Sequence, residues 1–165
     1  MPVSSNVRPY MIAIRALLTL CMILSGTPLI AQPNPVAIAD EVTDNVAMEY
    51  AECAAFFSIV HGAFSNSGKP AEAVRFKETS DKAAMFSLMA AKQSRTEEMA
   101  TKVTLARIEM NLKDMQKTID NNYSNMSLLS NRYLTLCVAA MQDSAPVIKR
   151  WTERIQGKYG NPGQR

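Results

Sequence analysis

The stretch AEAVRFKETSDKAAMFSLMAAKQSRTEEMATKVTLARIEMNLKDMQKTIDNNYSNMSLLSNRYLTLCVAAMQDSA, residues 71–145, contains neither glycine nor proline. All-β domains place turn residues about every 8–12 positions, so a run this long without them excludes hairpin architectures and predicts helices. Within it, Val74, Phe76, Ala83, Ala84, Phe86, Leu88 and Met89 give one helix from Pro70 to about Ala91, which Thr79-Ser80-Asp81 could split in two. Ser94 with Glu97 has the spacing of a capping box and opens a longer helix to about Asn121. Its stripe is Met99, Val103, Ala106 and Met110, and Leu112, Met115 and Ile119 continue on a shifted face. After a polar break at 121–125, Met126, Leu129, Tyr133, Leu136, Cys137 and Ala140 mark a further helix.

Upstream, Val46, Tyr50, Cys53, Phe57, Val60 and Phe64 recur at spacings of three and four, one face of a helix from about Asp40 to Phe64. Asn66, Ser67 and Gly68 end it. Downstream, Asp143 or Ser144 caps a short helix carrying Ile148, Trp151 and Ile155 and stopping at Gly157. Amphipathic helices joined by short links pack as antiparallel bundles. The expected fold is therefore all-α, a small antiparallel helical bundle of four main helices plus a short C-terminal helix, occupying residues 40–158 as one domain. Residues 32–39, with prolines at 33 and 35, are expected as an extended lead, and residues 159–165 as a disordered tail.

Residues 1–31 read as a cleaved secretion signal. Arg8 and Arg15 precede an apolar run, Ala16 to Leu24, which Ser25, Gly26, Thr27 and Pro28 break. Nine apolar residues suit a signal peptide and fall short of the ~20 that a spanning helix needs. Cleavage is expected after Ala31, with Ala39 the alternative site. Cys21 leaves with the signal, since Leu20 is too large to precede a lipidated cysteine. The expected location is periplasmic or secreted. The segment YAECAAFF, residues 50–57, resembles helices of exported bacterial proteins over those eight residues and implies nothing about activity.

Charge adds little. The chain's net charge is +3, but two of its 18 basic residues and none of its 15 acidic ones lie in the leader. The remainder is nearly neutral, so no nucleic-acid partner is expected.

Cys53 and Cys137 both fall on apolar stripes of helices expected in an oxidising compartment, where disulfides persist. One bridge between them is the simplest outcome; the alternatives are two buried thiols, or redox or metal work. A redox pair is usually close in sequence, as in C-x-x-C, and these two are not. His61 is the only histidine, placed as a cap or solvated residue at a helix end. With no second histidine, neither a metal centre nor a cofactor is expected, and any enzyme would rest on His61 alone. No catalytic residue is assigned. Carboxylate pairs Glu49/Glu52 and Glu97/Glu98 read as solvated helix positions without the apolar surroundings that raise a pKa.

Methionines 48, 85, 89, 99, 110, 115, 126 and 141 are expected mainly to fill the core. A partner groove or, at Met85 and Met89, a Cu(I) site are the alternatives. On the last helix, Arg150, Arg154 and Lys158 form a basic ridge beside Trp151. That ridge is a candidate contact for an anionic membrane surface or an envelope protein, or simply a solvated face. The leading functional expectation is a non-catalytic binding or accessory module of the bacterial cell envelope. Its rivals are a membrane-associated protein, held by an uncleaved N-terminal helix or the basic C-terminal one, and an enzyme built on His61.

Overall fold

The computed structural model describes residues 34–160, and every element among them is helical. The expected secretion signal and the 161–165 part of the expected tail lie outside the described residues. The first helix, α1, runs Pro35–Asn66, starting five residues before the sequence reading. The Asn34 side chain accepts a hydrogen bond from the Val36 N–H at 3.0 Å, and Pro35 takes the first helical position. A proline there sacrifices no helical hydrogen bond and has a suitable φ. Residues 35–39 are thus helical rather than an extended lead, and the alternative cleavage site after Ala39 falls inside α1.

Gly68, at φ 69°, reverses the chain into α2, Pro70–Ala91. That left-handed conformation favours glycine after a helix. Thr79, Ser80 and Asp81 do not break α2. Thr79 donates back to the Arg75 carbonyl at 2.9 Å, and Ser80 turns inward to the Ala54 carbonyl at 2.8 Å.

Helix α3 spans Glu97–Thr118. Its cap is Thr96, which accepts from the Met99 N–H at 3.4 Å, not Ser94, whose backbone closes a turn onto Ala91. Asp120 and Asn121, both at positive φ, end the segment, and a 3₁₀ turn, Tyr123–Asn125, follows. The Tyr123 hydroxyl lies 2.5 Å from where a Cβ on Gly62 of α1 would sit, so a larger residue at that crossing would have to displace the Tyr123 ring.

Then α4, Met126–Leu129, a π-helical turn, Ser130–Leu134, and α5, Thr135–Gln142, follow without a break as one rod. Asp143 caps the last helix by accepting from the Ala145 N–H at 2.9 Å. That helix, α6, runs Ala145–Gly160, past Gly157. Tyr159 belongs to it and donates its hydroxyl to Glu41 at 2.7 Å, so it is no part of a frayed tail.

Helix α1 touches α2, α3, the rod and α6. Its partners meet it in fixed antiparallel register. Ser87 donates to the Ala47 carbonyl at 2.7 Å, Ser80 to Ala54, and His61 to Ala73 at 2.9 Å. Those contacts step seven residues forward on α1 and seven back on α2. Between them the packing is small: Ala47, Ala51, Ala54, Ala55, Ala83 and Ala91 are essentially inaccessible, which lets the helices approach closely. On another side of α1, Glu49 meets Arg150 and Glu41 meets Lys158, again antiparallel.

The core has two main parts. One surrounds Cys53 and Cys137 with Phe56, Phe57, Met115, Ile119, Leu129 and Tyr133. The other lies under α6 with Val42, Val46, Tyr50, Ala140, Val147 and Ile155. The Tyr50 hydroxyl donates to the Ala140 carbonyl at 3.1 Å, so it is buried without losing a partner. The methionines do not fill this core as expected. Met115 is buried and Met126 and Met141 pack against it, but Met48, Met85, Met89, Met99 and Met110 are exposed.

The Cys53 and Cys137 sulfurs stand 2.08 Å apart, with Cα atoms 5.3 Å apart across 84 residues of sequence. Closing so long a loop removes about 4–5 kcal/mol of unfolded-chain entropy before any native strain. Reduction, or Cys53→Ala with Cys137→Ala, is expected to lower stability by about 2–4 kcal/mol and Tm by roughly 10 °C. Calorimetry of the two forms checks this, and helical circular dichroism should persist below each transition.

Candidate functional site

A groove of about 420 Å³ opens between α1, the rod and α6, with both cysteines in its lining. Its apolar walls are Met48, Leu136 and Trp151; its polar groups are Glu49, Glu52, Arg132, Tyr133 and Arg150. Each side chain is placed by its element. Glu49, Glu52 and Cys53 share the middle of α1. The π turn carries Arg132 and Tyr133, and such turns, with one extra residue per hydrogen-bonded ring, recur at functional sites. Arg132 lies over the Tyr133 ring, 4.9 Å from its centroid.

The expected surface residues of α6 divide in their roles. Arg150 Nη2 donates to Glu49 Oε2 at 2.6 Å, and the Trp151 indole N–H donates to the same oxygen at 2.7 Å. Lys158 donates to Glu41 at 2.6 Å. Arg154 stacks over the Trp151 ring at 5.1 Å. The ridge is thus largely a clamp that fastens α6 to α1, and Arg150 and Trp151 double as groove wall.

His61 is not a helix cap. Helix α1 continues to Asn66, and His61 Nδ1 donates to the Ala73 carbonyl of α2. Among the described residues no serine or carboxylate bonds to it. Glu97 and Glu98 are exposed and pair with Lys92 and Lys102. Met85 and Met89 lie on the outward face of α2. Among the described residues no three His, Cys, Asp or Glu side chains gather as a metal site would need.

Glu49 and Glu52 are not the solvated pair the sequence suggested. Burial pushes the Glu52 carboxyl above the ordinary carboxylate range, with the Arg132 charge and the Tyr133 hydroxyl acting against it. Tyr133 is itself raised, first by burial and then by the Glu52 charge. At Asp44 the balance is opposite. Burial raises it, but Arg107 and Arg95 together outweigh burial and leave the carboxyl low. The groove therefore joins an apolar slot to a carboxyl that holds its proton more tightly than usual and a nearby guanidinium, a combination suited to gripping an amphipathic ligand.

In the sequence Glu52 read as a solvated carboxylate and Tyr133 as one residue of an apolar stripe, neither as part of a site, and Arg132 was not singled out. The available signal was adjacency: Glu52 precedes Cys53, and Tyr133 lies one turn before Cys137. Pairing the cysteines brings both neighbours to one place.

The chain matches no protein-family model, no curated protein and no solved structure.

Two outcomes follow from these charges. The Glu49 side chain is only 14% exposed and serves two donors. Glu49→Ala strands the indole N–H and should cost about 1–3 kcal/mol, whereas Arg150→Gln removes a half-exposed cation and should cost under about 1 kcal/mol; denaturant titration compares them. Glu52 has a raised folded pKa, so its contribution is favourable in acid and is lost as pH rises through that pKa. Glu52→Gln should therefore raise Tm at pH 7, and the two proteins should converge below about pH 4.

Proposed function

We propose that this chain is an exported helical module of the bacterial cell envelope that acts by binding rather than catalysis, holding an amphipathic partner in the groove beside Cys53 and Cys137. The observation that carries this reading is the cysteine pair itself. Two thiols far apart in sequence meet at bonding distance beneath that groove, and such a link persists in oxidising compartments. The N-terminal leader, with its short apolar run before Ala31, supports the same location.

The membrane-associated reading through the basic C-terminal helix has less support, because Arg150 and Lys158 already have α1 carboxylates as partners; an anchor at residues 1–31 lies outside the described residues. An enzyme built on His61 has less still, because among the described residues the one hydrogen bond of its ring goes to a backbone carbonyl and no serine or carboxylate bonds to it.

N-terminal sequencing of the chain recovered from an export-competent host tests the location. A start at Gln32 in the periplasmic or secreted fraction is expected. A chain retaining Met1 in the membrane fraction would favour the anchored alternative. The groove is tested by Leu136→Glu, a change at an exposed wall position that should leave helix content intact. Crosslinking to envelope extract should lose its specific partner in this variant; equal recovery of that partner would remove the groove from the account.

A further inference from the structure

Helix α3 is turned so that its most regular apolar stripe faces away from its own bundle. Met99 and Met110 are each 52% exposed, Ala106 is exposed and Val103 is half-buried. The inward face is held instead by Ala100, Thr104 and Met115, and by Arg107, which forks onto Asp44 of α1 at 2.8 Å. That inner face is also imperfectly matched: Thr104 Oγ1 and Asn111 Nδ2 are buried without a hydrogen-bond partner among the described residues. Spacings of 4, 3 and 4 from Met99 to Met110 are those of an a/d coiled-coil seam. Here such a seam points at solvent.

The charges beside the stripe identify what fits it. Glu98, Lys102, Glu109 and Lys113 form a single row along its outer flank, paired within the chain as Lys102–Glu98 and Lys113–Glu109, each at 2.7 Å and largely exposed. The order acidic, basic, acidic, basic along this row becomes its own complement when the helix is reversed. The stripe is symmetric about a point between residues 104 and 105, one residue from the centre of the charge row, between 105 and 106. We propose that α3 packs antiparallel against α3 of a second copy about a twofold axis, with Met99 on Met110 of the second copy and Val103 on Ala106 of the second copy. In that register Lys102 stands within about 3 Å along the axis of Glu109 of the second copy, and Glu98 equally close to Lys113 of the second copy, offsets that these long side chains span. Contacts of this kind are isologous and close as a dimer without propagating. The flanking charges favour the antiparallel sense, because only that sense lays the two rows along the same side of the seam, where their opposite charges can pair.

Three turns of seam make a reversible dimer, so the test is sedimentation equilibrium of the full chain from about 1 μM to about 1 mM, spanning weak to moderate association. A monomer–dimer equilibrium is expected. Met110→Glu should abolish it, and Lys102→Glu should weaken it about tenfold by setting two glutamates opposite each other. The decisive variant is Lys102→Glu combined with Glu109→Lys. It restores opposite charges only between copies, since within each chain it leaves Glu beside Glu98 and Lys beside Lys113. Recovery of affinity to within about threefold of the original supports the α3 interface. A monomer throughout the range, a dimer untouched by Met110→Glu, or a double variant no better than the single one would overturn it. All three substituted positions are exposed, and far-UV circular dichroism of each variant separates lost association from lost folding.

Discussion

The covalent link between Cys53 and Cys137 ties the rod of residues 126–142 to the middle of α1. Without it, the rod depends on a few buried side chains, chiefly Leu129, Tyr133 and Ala140. The helices before it are better secured. Helices α1 and α2 are joined by a tight turn at Gly68 and by serine and histidine bonds repeating every seven residues. Linking the cysteines fixes the third wall of the groove, because Arg132, Tyr133 and Leu136 are all borne by the rod. Fold and candidate site share this one constraint.

A second feature is the use of α1 as a common strut. It presents alanines to α2, a carboxylate at Asp44 to α3, aromatic residues to the rod, and Glu41 and Glu49 to α6. The clamp on α6 is electrostatic at its margins and apolar beneath, where Val147 and Ile155 are buried. Exposed ion pairs contribute little by themselves. Glu49 differs because it is mostly buried and also satisfies the Trp151 indole. The same pairing absorbs much of the positive charge that, in the sequence, looked free for an anionic surface.

The all-helical class and the phase of α1 were legible in the sequence for a plain reason. Tyr50, Cys53, Phe57 and Val60 are large, few and regularly spaced, so only one face of the helix suits them. The cysteine pairing was legible because both residues lay on apolar stripes. Elsewhere the same logic misled. Prolines 33 and 35 suggested extension, although Asn34 before Pro35 is a helix-start signal. In α3 the methionines made the stripe from Met99 to Met110 look inward, whereas Ala100, Thr104, Ile108 and Met115, smaller or mixed in polarity, make the packed face. Small residues that permit close helix approach carry a weak hydrophobic signal, and their burial is set by the partner helix. The groove was hidden for a similar reason. Glu52 and Arg132 sit 80 positions apart, and their proximity exists only once the rod is fixed to α1.

The placement of the rod and of the groove it closes rests on the bond between Cys53 and Cys137. Peptide mapping of unreduced material, alkylated before digestion, addresses it directly. A single disulfide-linked pair of peptides containing these two residues, with neither sulfur alkylated, is the predicted result. Two alkylated thiols, or either cysteine bridged to another molecule, would contradict it, and with it the placement of the rod and the groove it closes.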